Sequence, residues 1–271
     1  MNWIDANGVA LRYRLEGEGP TIVLVHEMGG TLESWDRVAP HLARSRRVLR
    51  FDCRGAGLSE KITGEVELSD FAADLLALLD ALGIDEPVTL AGCAVGAGIV
   101  IRFALDYPER AASLILLNPA IDTTPDSGGR LVERAQVMAR EGMRSIEAGS
   151  LDTGYPEFLR ARDPEHYRSF RARWLANDPR SLGAMFRMLA RTNLFPELSA
   201  IRIPVLGLAG RHDPLRPPDY VRAVLAPMPR HEFAEIDAAH HVPDQAPEIV
   251  RESIAAFLDR VHPAPPARRS A

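Results

Sequence analysis

Six short apolar runs, separated by stretches of helical periodicity, limit what this chain can fold into. They are TIVLVHE (21–27), RRVLRFD (46–52), VTLAG (88–92), SLILLN (113–118), VLGLAG (205–210) and HEFAEI (231–236). Runs of this length and composition read as strands, most of them buried on both faces, and buried strands joined through helices pair in parallel. Residues 2–18 add a hairpin, for an expected total of about eight strands. Helices are expected at 68–84, 95–107, 218–226 and 247–261. In the first of these, Phe71, Leu75, Leu78, Leu79 and Leu82 form one apolar stripe, and Ser69 is placed to cap it. The expected fold class is α/β, a mainly parallel eight-stranded sheet with helices on both faces.

One segment breaks the alternation. Residues 122–198 hold no strand-like run, only helical patterns such as RLVERAQVMAREGMRSI and LGAMFRMLART, punctuated by Asp-Pro at 163–164 and 178–179. That is too long for a plain loop and reads as an inserted helical lid. The chain then divides into a core of residues 1–121 and 199–262, a lid of 122–198, and a tail, 263–271, expected to be disordered. With 46% hydrophobic residues the core can be large, and a net charge of -5 gives no footprint for nucleic acid. No apolar run reaches the roughly 18 residues of a membrane span, and the opening residues lack the layout of a signal peptide. Cys53 and Cys93 make no disulfide framework. The expectation is a cytoplasmic protein with a small-molecule substrate, no cofactor, no metal, no membrane and no nucleic-acid partner. Oligomeric state is not readable.

The stretch VTLAGCAVGAGIVIRFALDYPER (88–110) reads as a strand, a tight turn between Gly92 and Gly96, and a helix. In the pattern G-x-S-x-G such a turn presents a nucleophilic Ser, but here its centre is Ala94. Four further landmarks follow one another: VHEMGG (25–30), DCRGAGLS (52–59), AGRHDPLRPP (209–218) and AAHHVPDQAPE (238–248). Up to about residue 260 the chain resembles the α/β-hydrolase fold family, and its lid is similar to that of 3-oxoadipate enol-lactonases. The resemblance implies Asp213 as the acid. It implies His240 as the histidine, because that residue stands seven before Pro247, which opens the last helix. His241 is the structural alternative. The resemblance also implies an oxyanion hole from the backbone N–H groups of Met28 and Val95. A shifted register would make Cys93 the nucleophile, the less favoured reading. The family's helix end falls thirteen residues after the nucleophile, and Tyr107 stands thirteen after Ala94. Cys93 otherwise reads as a small buried thiol.

Glu27 is a second departure, since the residue after His26 is commonly Gly in this family. A carboxylate about 4 Å from a developing oxyanion would oppose it by roughly 4 kcal/mol at an effective dielectric near 20. Glu27 therefore points away, is protonated, takes part as an acid whose pKa burial has raised, or pairs with a cation such as Arg54. If it faces the hole, restoring Ser at position 94 alone should recover little.

His240 oriented by Asp213 remains a competent general base without a nucleophile. It can activate water on the carbonyl of a lactone, ester or ring-cleavage product, or drive a proton transfer. The alternative is a catalytically silent relative that binds a small ligand or partner. Arg54 reads as a loop brace, and Trp35 and Trp174 read as packing. Arg160, Arg162, Arg168, Arg171 and Arg173 crowd the lid, mostly as a solvated face, though one turned inward could hold a substrate carboxylate.

Overall fold

The computed structural model describes residues 2–262; the tail expected at 263–271 lies outside them. The strands are β1 (Asn2–Ala6), β2 (Val9–Glu16), β3 (Thr21–Val25), β4 (Arg47–Phe51), β5 (Val88–Cys93), β6 (Ala111–Leu117), β7 (Val205–Gly210) and β8 (His231–Ile236). They form one sheet in the order β1-β2-β4-β3-β5-β6-β7-β8. β1 and β2 are an antiparallel hairpin, β2 runs antiparallel to β4, and every pairing from β4 to β8 is parallel. The hairpin turns at Asn7 and Gly8, whose φ of 52° and 70° match the twist of the flanking strands. Every residue of β3, β5 and β7 is buried, whereas the edge strand β8 is largely exposed.

The helices are α1 (Ala39–Leu42), α2 (Leu68–Ala81), α3 (Val95–Asp106), α4 (Pro125–Glu141), α5 (Glu157–Arg160), α6 (Pro164–Leu175), α7 (Pro179–Arg191), α8 (Pro218–Leu225), α9 (Val242–Gln245) and α10 (Pro247–Val261). The sheet's two faces follow the period of two along each strand. Val23 and Val25 join the side packed by α2, α3 and α8, while Ile22 and Leu24 join Trp35, α1 and α10. Ser69 does not cap α2. The cap is Glu67, whose N–H donates to Asp70 Oδ2 at 2.8 Å, so Ser69 lies inside the first turn.

Between β6 and β7 the described residues form helices joined by short loops, with no strand beyond a lone bridge, Asp122 to Asn193. Each Asp-Pro pair opens a helix: Asp163 accepts from His166 N and Asp178 from Ser181 N, with the prolines at the first helical position. Among the described residues no helix is long and apolar enough to cross a membrane.

Candidate active site

The turn from β5 into α3 is held by backbone contact on both flanks. A Cβ on Gly92 would lie 2.3 Å from Gly96 O, and one on Gly96 would lie 2.5 Å from His26 O. Only glycine fits either place. Between them Ala94 has φ 50° and ψ −114°, a conformation costing about 1–3 kcal/mol that persists only where neighbours over-determine it. They do: Ala94 N donates to Leu117 O at 2.9 Å, and Ala94 O accepts from Ala120 N at 3.0 Å. Val95 opens the helix, so its N–H has no intrahelical acceptor.

Two loops at the carboxyl ends of β7 and β8 meet beside this turn. Gly210 lets them close, since a Cβ there would stand 2.2 Å from Ala239 O. Asn118, at the end of β6, ties them: it donates to Ala239 O at 2.7 Å and accepts from Gly210 N at 2.8 Å. The sequence reading missed this residue, and its only signal was an amide at the end of an apolar strand. The loops bring His240 Nδ1 to 2.8 Å from Asp213 Oδ2. The carboxylate can only accept, so Nδ1 carries the proton and Nε2 is left basic toward the cavity. Burial pushes the Asp213 carboxyl up, but His240 and the amides of Leu215 and Arg216 outweigh it and hold it below its usual value. The backbone of His240 is fixed by its N–H on Gly154 O at 3.1 Å.

Glu27 does not face this space. Its Oε1 accepts from Ser34 Oγ at 2.9 Å and lies 3.7 Å from His241 Nδ1. Its carboxyl fills the room beside Gly30, where a Cβ would stand 2.5 Å from Oε1. The expectation that burial raises its pKa fails: burial does push it up, but the His241 imidazole more than offsets this, and the carboxyl lies below its usual range. Arg54 is not its partner either, because the Arg54 guanidinium is paired with Asp74 on α2. Asp244 lies nearby and accepts from His166 Nε2 at 2.8 Å. Burial pushes the Asp244 carboxyl up against that bond, and the Glu27 charge adds to the rise.

The loop bearing Met28 is fixed from below and above. His26 Nδ1 donates to Glu27 O at 2.7 Å and Nε2 accepts from Cys53 N at 3.0 Å, a pattern for the neutral ring. From the helical segment, Asn177 donates to Gly29 O at 2.7 Å, and Trp174 sits so close that a Cβ on Gly29 would be 2.6 Å from its Nε1. Cys93 is fully buried, with Sγ 3.7 Å from His240 O, and burial raises its thiol well above its usual value. It does not line the cavity.

That cavity measures about 310 Å³. Ala94, Val95, Met28, His240 and His241 line its core side. His241 also stacks against Tyr155 and meets Phe170 edge to face. Leu131, Leu182, Phe186 and Trp174 supply apolar wall from the helical segment, so Trp174 packs and lines at once. The arginines in the lining are Arg130, Arg134 and Arg216, none of the five singled out from the sequence. Of those five, Arg160, Arg162, Arg171 and Arg173 lie against Asp152, Asp237, Glu147 and Asp244. Among the described residues no cluster of His, Cys, Asp and Glu is arranged to hold a metal.

A family model described as alpha/beta hydrolase fold matches residues 20–247. A 3-oxoadipate enol-lactonase from Acinetobacter baylyi is 23% identical over 95% of this chain and 96% of its own. Two solved structures superpose over nearly the whole chain. A thermophilic esterase from Thermogutta terrifontis, with malate bound, has a TM-score of 0.92 at 27% identity, covering 97% of this chain and 100% of its own. An enol-lactonase from Burkholderia xenovorans has a TM-score of 0.89 at 25% identity, covering 95% and 99%.

Proposed function

The chain belongs to the alpha/beta hydrolase fold family, and on that premise we propose that it hydrolyses a small carbonyl compound, a lactone or ester, in a single step without an acyl-enzyme. The observation that carries this is the 2.8 Å contact of His240 Nδ1 with Asp213, which leaves Nε2 in one cavity with the Ala94 methyl group. Ala94 stands at the centre of the Gly92–Gly96 turn, the position that carries the nucleophilic Ser in the pattern G-x-S-x-G. Its side chain offers no oxygen, so the attacking group is water.

In this reading His240 Nε2 takes a proton from that water, and the oxygen adds to the substrate carbonyl. Asp213 keeps the ring in the required tautomer and stabilises the imidazolium. The N–H groups of Met28 and Val95 receive the developing oxyanion, and each such donor is worth about 10²–10³ in rate. The tetrahedral intermediate collapses as the imidazolium returns its proton to the leaving oxygen. The carbonyl carbon–oxygen bond breaks, and a lactone becomes a hydroxy acid. Glu27 has no place in this sequence; it props the loop that carries Met28. The helical segment 122–198 acts as the lid that excludes bulk water.

The test is a screen of purified protein against lactones and activated esters, with His240→Ala beside the wild type. Turnover should fall by at least about 10³-fold in the variant. Turnover retained by His240→Ala would end the proposal.

A further inference from the structure

The peptide group that carries Met28 N–H is held from behind. In a trans peptide the C=O and N–H point in opposite directions, so whatever fixes Glu27 O also aims Met28 N–H. Glu27 O accepts from Gly30 N at 2.9 Å and from His26 Nδ1 at 2.7 Å. Met28 N–H has no acceptor among the described residues, and Met28 lines the cavity. The Gly30 contact closes a turn from Glu27 to Gly30, and the φ of 79° at Gly29 is the value of a type II turn in its third place.

The next peptide group, Gly29 to Gly30, is held from outside the sheet. Its N–H is the one that reaches Glu27 O. Its carbonyl, Gly29 O, accepts from Asn177 Nδ2 at 2.7 Å. Asn177 follows α6 and is buried, and the same nitrogen lies 2.9 Å from Trp174 O and 3.4 Å from Arg173 O. Three carbonyls around one end of the side chain identify that end as the NH2. The donors therefore run in series: Asn177 to Gly29 O, Gly30 N–H to Glu27 O, and Met28 N–H to the cavity. Hydrogen bonds in series polarise one another, and the effect is stronger away from water.

We propose that Asn177 is a positioning residue. Through two peptide groups it aligns and polarises Met28 N–H, so that this donor reaches full strength only while α6 is seated on the Glu27–Gly30 turn. The consequence for catalysis rests on the hydrolytic reading above; the series of hydrogen bonds does not. A donor aimed at developing charge favours the transition state over the bound substrate, so loss of Asn177 lowers kcat rather than raising KM. The competing role is to cap the end of α6 through Trp174 O, which would leave Met28 N–H untouched.

Two variants separate these roles. Asn177→Ala removes the donor, and Asn177→Asp sets acceptor oxygens against Gly29 O at the same size. On the fastest substrate of the ester and lactone screen, kcat should fall about tenfold in Asn177→Ala and further in Asn177→Asp, with KM within about twofold in both. In amide NMR the Gly30 and Met28 proton resonances should move upfield in both variants, and Gly30 should exchange with solvent about tenfold faster. In the unaltered chain the Gly30 amide should already be protected, a measurement that needs no variant to fold. A raised KM with kcat unchanged, a Met28 resonance that stays in place in both variants, or an unprotected Gly30 amide in the unaltered chain would overturn the proposal. If no ester or lactone turns over, shifted Met28 and Gly30 resonances would uphold the positioning by Asn177 and refute the hydrolytic reading alone.

Discussion

The side of the cavity supplied by the sheet and the side supplied by the helical segment are built differently. On the sheet side the contacts are backbone to backbone and nearly closed. Gly92, Gly96 and Gly210 are glycines because another chain segment occupies the space of a Cβ, and Asn118 spends its amide joining the two loops that hold Asp213 and His240. On the helical side Arg130, Arg134 and Ser150 line the same space, and among the described residues the Ser150 Oγ is buried without a hydrogen-bond partner. A site whose polar groups are satisfied by its own chain is organised before a ligand arrives, whereas one left unsatisfied is organised for a ligand.

Three changes on the sheet side sharpen that contrast. The largest effect should come from Ala94→Ser. From sequence a Ser here would still meet the charge of Glu27, but that carboxyl is turned toward Ser34 and His241. With that obstacle gone, the single substitution should give a burst of about one equivalent of p-nitrophenol from p-nitrophenyl acetate, where the wild type gives none. No burst from a folded variant would mean the sheet side is not organised in advance.

Glu27→Gln should have a middle-sized effect, on stability. The folded carboxyl lies below its ordinary value of 4.5. Its ionised form therefore contributes stability that is fully present above that value and is lost as pH falls through the lower folded one. Asp213 acts with the same sign; Asp244, whose carboxyl is raised, acts with the opposite one. At pH 7 the variant should be less stable by about 1–3 kcal/mol. Its deficit in thermal unfolding should shrink as pH falls from 4.5 toward about 2. A deficit that stays constant with pH would show that Glu27 acts through packing alone.

Cys93→Ala should do least. The thiol is buried away from the cavity with its pKa raised, so turnover should stay within about twofold and thiol reagents should not inactivate the native protein. Inactivation traced by mass spectrometry to an adduct on Cys93 would restore the shifted register.

The contrast between the two sides also sets what the sequence could reveal. β7, β8 and α10 were legible to the residue, because a continuous apolar run or an amphipathic stripe is local information. The pairing of His240 with Asp213 was legible through loop order and the position of Pro247. The direction of Glu27 was not, because its partner His241 is remote in sequence and only the folded loops bring the two together. The inward arginines were hidden for a similar reason. Which face of α4 meets the cavity depends on its packing against α7, so the arginine-rich stretch at 160–173 drew the expectation while Arg130 and Arg134 passed unremarked.

The side chain of Ala94 ends at its methyl group, and both thiols of the chain are buried. Organophosphates, fluorophosphonates and β-lactones mark hydrolases by bonding to an active oxygen or sulfur, and the turn centred on Ala94 presents them with neither. On the hydrolytic reading proposed above, an inventory of hydrolases taken with such reagents will pass it by. An inhibitor must instead hold by shape and charge alone, and the guanidinium and imidazole groups that line the cavity define what that molecule looks like.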